Sequence, residues 1–297
     1  MRGRIEEQSS GKKAEVIDSL RHKYPLKQLL ALAKLSRATF YDRLKRRHRP
    51  DKYQTLKAFI KKTFHDSYET YGYRRIHIMA QRAGFKCSPN TVRRLMGQLD
   101  LSVTLYSRHV SGYHSYKGKI GTINDNLLRQ QFDATEPFTV LHTDVTQVKL
   151  VDHTWGYISA IIDEASREVL TVVVSQSANK EQLHLTLDDL SKILPLGAMP
   201  IMHSDQGWQY QTREYQSHTK AMGIIPSMSR KGKCHDNAPM ESFFNLLKRE
   251  RLNRQPIQDL EELKTITNDY VHWFNHGRIS LNKNGLTPIE YRNQAIA

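Results

Sequence analysis

Three acidic residues lie in positions from which their side chains could meet in the folded protein. Asp144 stands in the middle of a segment with period-two alternation, and Asp205 directly follows a short apolar segment. Glu241 lies 35 residues after Asp205 (241 − 205 − 1), near the start of a patterned helix. Converging carboxylates cannot all stay ionised cheaply unless cations neutralise them, and carboxylate oxygens without Cys or imidazole clusters suit Mg²⁺ or Mn²⁺. The residue types therefore indicate a divalent-metal site if their elements converge.

The helix that carries Glu241 is predicted from its first turn, where Asp236 is a good N-cap and Pro239 is tolerated. Lys248 lies seven residues beyond Glu241 and therefore on the same face. A carboxylate and a lysine on one helical face are usually only a solvated surface. The earlier aspartates, Asp144 and Asp205, favour a functional interpretation of this face.

Four polar residues near these carboxylates are expected to support the site or its turns. His142 and His203 each stand two residues before an aspartate, so each shares a strand face with it. We expect both histidines to be hydrogen-bonded supports and not metal ligands. Asn237 is expected to orient the start of the helix, and Asp163, directly after a strand, to be a turn residue.

The elements around Asp144 and Asp205 predict a mixed, five-stranded α/β sheet with helices on its faces. The segments in order are strands over 138–148, 155–163 and 168–175, a helix over 179–194, a strand over 200–204, a helix over 212–222, a strand over 223–226, the helix that carries Glu241, and a helix over 258–275. Short connections make the first three strands an antiparallel meander. The first and fourth strands can then be neighbours, which would place Asp144 close to Asp205 at the end of its strand.

Residues 1–50 predict a helical DNA-binding domain. A tight turn at 34–36 joins two short helices, as helix-turn-helix units do, and Ser36 caps the later helix. That helix leaves four residues available to DNA: Arg37, Thr39, Arg43 and Arg46. A small helical bundle whose surface is merely basic is the alternative interpretation, and the charge favours DNA.

Residues 51–101 predict a second helix-turn-helix-like, DNA-binding module. Ser88 caps its last helix, Pro89 occupies the first helical position, and Arg93 and Arg94 point outward. Residues 102–130 are predicted to be a linker, because residues 102–121 have glycines, serines, tyrosines and lysines with little periodicity, and their basic-aromatic mix could also follow a DNA backbone. The α/β core, with a C-terminal helical extension, then occupies residues 131–297.

The net charge of the chain is +15, and it is distributed unevenly. Residues 1–120 carry 27 Lys and Arg against 9 Asp and Glu (+18), whereas residues 121–297 carry 18 against 21 (−3). Such localised basicity indicates a polyanion partner, most simply nucleic acid. The two cysteines support neither a disulfide framework nor a zinc cluster, and no apolar run approaches the ~18 residues of a membrane span. We therefore expect a cytoplasmic protein without a membrane partner.

Four motifs occur in order along the second half of the chain: HSDQGWQY at 203–210, SMSRKGKCHDNA at 227–238, ESFFNLLK at 241–248 and TPIEY at 287–291. Together they resemble the second-frame (OrfB-type) transposases of bacterial insertion sequences, in the DDE superfamily of transposases and retroviral integrases. Residues 71–76 and 90–96 resemble the helical module that precedes the core in that family. The resemblance implies a ribonuclease-H-like α/β core preceded by all-α helix-turn-helix modules.

The resemblance also implies roles for single residues. Asp144, Asp205 and Glu241 would be catalytic and would hold two Mg²⁺ (or Mn²⁺) ions per active site, which clamp an in-line displacement at a phosphodiester. Water would cut the ends of the element, and the freed 3′-OH would join them to new DNA; the spacing alone would fit any nuclease. Lys248 would contact the DNA end. The implied partners are the terminal inverted repeats, the target DNA, a first-frame (OrfA) protein or a fusion with it, and further copies of this chain on DNA.

Two other functions compete with a transposase. One is a DNA-binding regulator of transposition with an inactive core, against which the intact Asp144, Asp205 and Glu241 argue. The other is a ribonuclease-H-like nuclease without joining activity, which two DNA-binding modules and the four motifs make less favourable. Three positions depart from the usual residues of the family, and none of them is an expected metal ligand: Gln206, His235 and Ser280.

Overall fold

The structure, a computed structural model, describes residues 8–47, 49–105, 121–231 and 234–296. The chain divides into two compact units, Met1–Ala58 and Phe59–Ala297. The division falls within one helix, and each unit has an apolar core of its own.

Between residues 8 and 47, the first unit has three short helices: α1 (Ser10–Leu20), α2 (Leu26–Leu32) and α3 (Arg37–Arg47). Five buried side chains form its core: Ala14, Ile17, Leu30, Ala33 and Phe40. The chain turns sharply between α2 and α3 because Lys34 adopts a left-handed conformation with φ 50°. Ser36 caps α3 as the sequence predicts, since its Oγ accepts the Thr39 backbone N–H at 3.0 Å.

Three further helices precede the sheet: α4 (Gln54–Asp66), α5 (Tyr73–Arg82) and α6 (Pro89–Gln98). The predicted cap of α6 is present, because Ser88 Oγ accepts the Thr91 backbone N–H at 3.2 Å. Ile76 on α5 and Val92 and Leu95 on α6 are fully buried, so these two helices pack through the faces that the sequence marks as apolar.

The second unit is built on a five-stranded sheet in the order β3-β2-β1-β4-β5. The strands are β1 (Val140–Lys149), β2 (Trp155–Asp163), β3 (Val169–Ser175), β4 (Ile201–Ser204) and β5 (Ile225–Met228). Strands β1, β2 and β3 form the predicted antiparallel meander, and β1, β4 and β5 pair in parallel. The mixed five-stranded sheet flanked by helices confirms the predicted fold class.

Helices cover both faces of this sheet. Helices α7 (Lys180–Ser191) and α8 (Arg213–Ala221) pack on the face that contains Leu141, Ile161 and Met202. Helices α9 (Ala238–Glu250) and α10 (Leu260–His276) pack on the opposite face, against Ile158, Ala160 and Ile162. His142 and Asp144 oppose Ile162 and Ala160 across the β1–β2 ladder, and therefore lie on the α9 side.

Residues 121–131 lie against the core, although the sequence predicts a linker up to residue 130. The backbone of this segment bonds to β5, where Met228 N–H donates to Asp125 O at 3.2 Å and Leu127 N–H donates to Ser227 Oγ at 2.9 Å. At its start, a Cβ on Gly121 would lie 1.9 Å from Gln211 O, so only glycine allows this approach. We call residues 121–131 the strap.

The segment from Tyr71 to Arg82, which includes α5, binds the C-terminal extension, which ends in α11 (Pro288–Ile296). The Tyr71 hydroxyl donates to Gly277 O and accepts the Ile279 backbone N–H, both at 2.7 Å. The Arg82 guanidinium forms two 3.0 Å bonds to Glu290. The residues from 59 to 105 are therefore joined to the sheet unit through its C-terminal end.

The prediction that Asp236 caps the catalytic-helix candidate α9 is wrong. The N-cap of α9 is Asn237, which follows a turn of 3₁₀ helix over Cys234–Asn237. The fully buried Asp236 carboxylate instead binds the Arg230 guanidinium, with Nε at 3.0 Å and Nη2 at 2.9 Å. A bidentate, charge-assisted pair is stronger than a cap bond to a neutral backbone N–H, so Asp236 turns away from the helix.

Candidate active site

The parallel pairing of β1 with β4 places the two candidate aspartates side by side. His142 stands opposite His203 in this register, and Asp144 and Asp205 each lie two residues beyond that pair. Asp205 follows the last residue of β4, at the carboxyl end of the strand. The sequence prediction that the first and fourth strands are neighbours is therefore confirmed, and the ladder fixes the relative height of the two aspartates.

Asp144 is the electrostatic centre of the site. Burial, the charge of Asp205 and the charge of Glu241 together raise the pKa of Asp144 to about 8. Two contributions act in the opposite direction: a 2.7 Å hydrogen bond from the Val145 backbone N–H and the positive charge of Lys248. Asp144 is thus repelled by two neighbouring carboxylates, and the Val145 bond and the Lys248 charge do not offset that repulsion and burial.

Asp205 is held by the loop that follows β4. The Gly207 backbone N–H donates to Asp205 Oδ1 at 2.8 Å, and a Cβ on Gly207 would lie 2.9 Å from that oxygen. A side chain at this position would therefore push the Asp205 carboxylate or the Gln209 amide aside. Tyr210 lies fully buried below the site, where burial and the charges of Asp144 and Asp205 raise its pKa well above the usual range.

Helix α9 contributes one acidic and one basic side chain. Glu241 lies in its first turn and is exposed. Lys248 lies two turns later and is half-buried, with its Nζ 2.5 Å from Thr146 Oγ1 on β1. Burial lowers the pKa of Lys248, and the nearby charge of Asp144 opposes that effect. Lys248 is thus directed at β1 and is not a freely solvated surface lysine.

Behind Asp144, His142 lies in a buried hydrogen-bond chain. Its Nε2 is 2.7 Å from Glu164 Oε2, and its Nδ1 is 2.9 Å from Asn237 Oδ1. Burial raises the pKa of Glu164, but hydrogen bonds from His142 and from the Ala134 backbone outweigh it, and the net pKa is lowered. Sequence reasoning missed Glu164, since an acidic residue in a short β2–β3 connection looks like an ordinary solvent-facing turn residue.

His203 has a different environment from His142. Its ring nitrogens lie 2.9 Å from Ser227 Oγ and 3.1 Å from Ser229 Oγ, and the ring is fully buried. Burial and the neighbouring His142 lower the pKa of His203 to about 4, against the opposing charges of Asp236 and Glu164. Its two nitrogens are occupied by hydroxyl groups, which agrees with a support and not with a metal ligand.

The donor chemistry of the site fits a divalent cation. In the described ranges 8–47, 49–105, 121–231 and 234–296, no three His, Cys, Asp or Glu side chains converge closely enough to hold an ion by themselves. Asp144, Asp205 and Glu241 nevertheless supply only oxygen donors, and a cation beside Asp144 would relieve the repulsion that raises its pKa. Asp144 and Glu241 would hold such an ion from β1 and α9, and Asp205 from the end of β4.

The predicted DNA-contacting residues of α3 differ in their surroundings. Arg37 is exposed and lies over the Tyr41 ring, whereas Arg43 is half-buried. Arg46 is exposed but pairs with Asp42 at 2.9 Å. The Thr39 hydroxyl lies 2.7 Å from Ser36 Oγ, so it takes part in the cap.

The corresponding arginines of α6 both lie on its exposed side. Arg93 stacks its guanidinium over the Tyr73 ring at 5.8 Å from the ring centre, and Arg94 is its exposed neighbour. Both side chains therefore remain on the surface where the sequence places them.

Comparison with known proteins defines the class of this chain. Two integrase core domain models match residues 134–234 and 241–296, and an HTH-like domain model matches residues 50–109. The chain is therefore an enzyme of the polynucleotidyl transferase type with an HTH-like domain.

Its relatives are more specific. The putative transposase InsK of insertion sequence element IS150 from Escherichia coli K12 is 41% identical over 280 residues, which cover 94% of this chain and 98% of that protein. The probable transposase of IS1353 from Shigella flexneri is 35% identical and covers 96% of this chain, but only 55% of that protein is matched. The chain therefore belongs to the family of insertion-sequence transposases, as the sequence predicts.

A solved structure shares a looser likeness. The HTLV-2 integrase catalytic core domain in complex with magnesium has a TM-score of 0.43 and 16% identity, covering 54% of this chain and 99% of that one. Within the part of the chain that the structure describes, no helix is long and apolar enough to cross a membrane.

Proposed function

We propose that Asp144, Asp205 and Glu241 form the catalytic centre of this transposase and together bind two Mg²⁺ or Mn²⁺ ions. The observation that carries the proposal is the β1–β4 register, which sets Asp144 level with Asp205. It is supported by the raised pKa of Asp144, to which both Asp205 and Glu241 contribute. Asp144 on β1 is repelled by carboxylates from two other elements, Asp205 after β4 and Glu241 on α9, an arrangement that is typical of functional sites.

The proposed reaction has two phosphoryl-transfer steps at one site. Water attacks the phosphodiester at the end of the element and frees a 3′-OH, which then attacks the target DNA. When bound, the metal ions would activate the attacking oxygen and stabilise the leaving 3′ oxygen. Asp144 and Asp205 would hold these ions at the sheet, and Glu241 would hold them from the side of α9.

Lys248 is proposed to bind the terminal phosphate or base of the element. It lies on the α9 side of β1, close enough to Asp144 for their charges to interact, and it is already directed inward by Thr146. A cation at this position would hold a DNA end beside the carboxylates without competing for the metal.

DNA binding away from the centre is assigned to the basic helices. Arg37, Thr39, Arg43 and Arg46 on α3, and Arg93 and Arg94 on α6, are proposed to contact the terminal inverted repeats or target DNA. The support is the uneven charge, +18 over residues 1–120 and −3 over the remainder. His142, His203 and Asn237 are proposed to support the catalytic side chains from the strand and helix that carry them.

The working form is proposed to be an oligomer on DNA that acts with a first-frame (OrfA) protein or as a fusion with it. The Shigella flexneri relative supports this, because the match covers only 55% of its length. DNA as the substrate points to the cytoplasm as the place of action.

Asp205→Asn is the first test of this function. The variant should keep its affinity for the terminal DNA and lose Mg²⁺-dependent cleavage, because one metal-binding carboxylate is replaced by a neutral amide. Asp188→Asn, on the exposed side of α7, is the matched control and should cleave normally. Undiminished cleavage by Asp205→Asn would falsify the three-carboxylate assignment, and cleavage without joining in the unmodified protein would favour a nuclease.

A further inference from the structure

A continuous buried hydrogen-bond chain connects the β2–β3 turn with the start of α9. It runs from Glu164 Oε2 to His142 Nε2 (2.7 Å), then from His142 Nδ1 to Asn237 Oδ1 (2.9 Å), and ends where Asn237 Nδ2 donates to Thr143 O (3.1 Å). All three side chains are less than 4% exposed. We call this the Glu164–His142–Asn237 chain.

The Asn237 amide fixes the direction of the bonds at the α9 end of this chain. Because the Asn237 amide donates to Thr143 O, its carbonyl oxygen is the atom that faces His142, so His142 donates through Nδ1. At the other end, His142 Nε2 lies 2.7 Å from Glu164 Oε2. The other Glu164 oxygen accepts the Ala134 backbone N–H at 3.0 Å. Glu164 thus has a partner at both oxygens, and it anchors the chain at the end away from α9.

The chain joins the two elements that carry Asp144 and Glu241. Thr143 precedes Asp144 on β1, and Asn237 is the N-cap of the helix that presents Glu241. Asp144 and Asp205 need no such link, because the backbone ladder between β1 and β4 already fixes them.

Helix α9 is otherwise held on the sheet largely by apolar packing. Met240, Phe243 and Leu247 are all buried in the core cluster on that face. Apolar packing is non-directional and does not by itself fix how far a helix has moved along its axis. The Asn237 bonds are directional, so they set the position of the first turn relative to β1.

We infer that Glu164 is a positioning residue for Glu241, acting through His142 and Asn237 to fix the start of α9 beside Asp144. The inference rests on the proposed three-carboxylate centre and adds a residue that does not touch the metal or the DNA. It predicts that loss of Glu164 weakens metal binding beyond any loss of stability. Groups that orient metal ligands typically change metal affinity or activity by about 10–100-fold when they are replaced.

Glu164→Gln tests the inference directly. Glutamine has the same shape, but its side chain is neutral, so the charge-assisted contact between the Glu164 carboxylate and His142 is lost. We expect the half-saturating Mg²⁺ concentration for cleavage to rise about tenfold. Mn²⁺ binding without DNA, measured by electron paramagnetic resonance, should weaken by a similar factor.

Asp163→Asn is the matched control, because it changes the preceding residue from a buried carboxylate to an amide. Asp163 is 1% exposed and accepts from Ser166 N–H and Ser166 Oγ–H in its own turn and from Phe138 N–H just before β1. It lies outside the Glu164–His142–Asn237 chain. We expect a lower melting temperature for Asp163→Asn with unchanged Mg²⁺ and Mn²⁺ midpoints.

Asn237→Ala provides a second route if Glu164→Gln does not fold. It removes the same chain at the other end with a smaller change in buried charge, and should shift the Mn²⁺ midpoint in the same direction. If Glu164→Gln and Asn237→Ala have the same metal midpoints as the unmodified protein and Asp163→Asn, the inference is overturned. An inactive Asp205→Asn would still support the metal centre in that case. If Asp205→Asn still cleaves, the metal centre itself is wrong and the inference falls with it.

Discussion

The two ends of helix α9 carry the same kind of side chain in opposite circumstances. Near the first turn, Glu241 is exposed and its charge acts on Asp144, which is itself repelled by Asp205. At the last residue, Glu250 is 2% exposed and accepts from Arg278 Nε at 3.0 Å, Arg278 Nη2 at 2.7 Å and the Tyr270 hydroxyl at 2.7 Å. The Glu241 carboxylate lies near another negative group, whereas the Glu250 carboxylate is paired with a positive charge and a hydroxyl group.

Under the proposed function, Glu241 is a metal-binding carboxylate and Glu250 is a structural one on the same helix. A buried carboxylate with a bidentate arginine and a tyrosine hydroxyl has no free capacity for a ligand, so its role is to hold elements together. A carboxylate placed among like charges lowers stability unless a cation joins it, which makes it a candidate for metal binding. Replacing each glutamate by glutamine makes the same chemical change at both ends.

Glu241→Gln should have the largest effect on catalysis. The amide cannot replace a charged metal ligand, so cleavage of terminal DNA at saturating Mg²⁺ should fall by roughly a thousandfold or more. The melting temperature should stay the same or rise, since a repulsive charge is removed next to Asp144. A calorimetric scan beside the cleavage assay checks both, and a destabilised, active variant would contradict the distinction drawn here.

Glu250→Gln should have the largest effect on stability. It leaves the buried Arg278 without a counter-charge, near Arg75, whose pKa is already lowered by burial and by Arg278. Removing one partner of a buried ion pair costs about 3–5 kcal/mol of unfolding free energy. Denaturant unfolding measures this, with Glu241→Gln as the matched control at the other end. Normal stability of Glu250→Gln would show that the two ends do not differ as described.

Lys248→Ala, between the two ends, should have an intermediate effect. Loss of one phosphate contact should weaken binding of terminal DNA about tenfold and reduce the slope of log affinity against log salt by about one. Lys264→Ala, an exposed lysine paired with Glu261 on α10, is the control and should bind DNA normally. If the slope of log affinity against log salt is identical for both variants, Lys248 does not contact a phosphate and is only a packing residue.

A smaller effect is expected on the pH dependence of stability, through the Asp236–Arg230 pair just before α9. Hydrogen bonds from Arg230 lower the pKa of Asp236 well below the usual range. A carboxylate with a depressed folded-state pKa stabilises the fold above its unfolded value of ~3.9 and loses this contribution as pH falls through the folded value. The melting temperatures of the unmodified protein and Asp236→Asn should therefore differ at pH 7 and converge in strong acid. A difference that grows on acidification would contradict this.

Much of the fold follows from local pattern. Period-two alternation and short connections predict the β1–β2–β3 meander. The order of strands and helices along the chain predicts that β1 and β4 can be neighbours. The Ser36 and Ser88 caps were also predictable, because a cap depends on residues only three positions away. The metal-site assignment of Asp144, Asp205 and Glu241 stays a prediction that the β1–β4 register supports.

What the sequence could not provide is the pairing of distant polar groups. Glu164 and Asn237 meet through His142 although 72 residues (237 − 164 − 1) separate them, and nothing local marks Glu164 as buried. Asp236 has the residue type of an N-cap, but its carboxylate binds the Arg230 guanidinium and does not cap the helix. Such choices depend on which charges the completed fold brings together.

The strap changes where an autonomous catalytic fragment has to begin. Asn126 Nδ2 and Gln130 Nε2 on the strap donate to the two Asp236 oxygens at 2.9 Å and 2.7 Å. A fragment cut at residue 131, where composition places the domain boundary, would remove both donors and uncover the edge strand β5. A fragment for expression should therefore start before Gly121, because the folding unit extends upstream of the part that resembles other integrase cores.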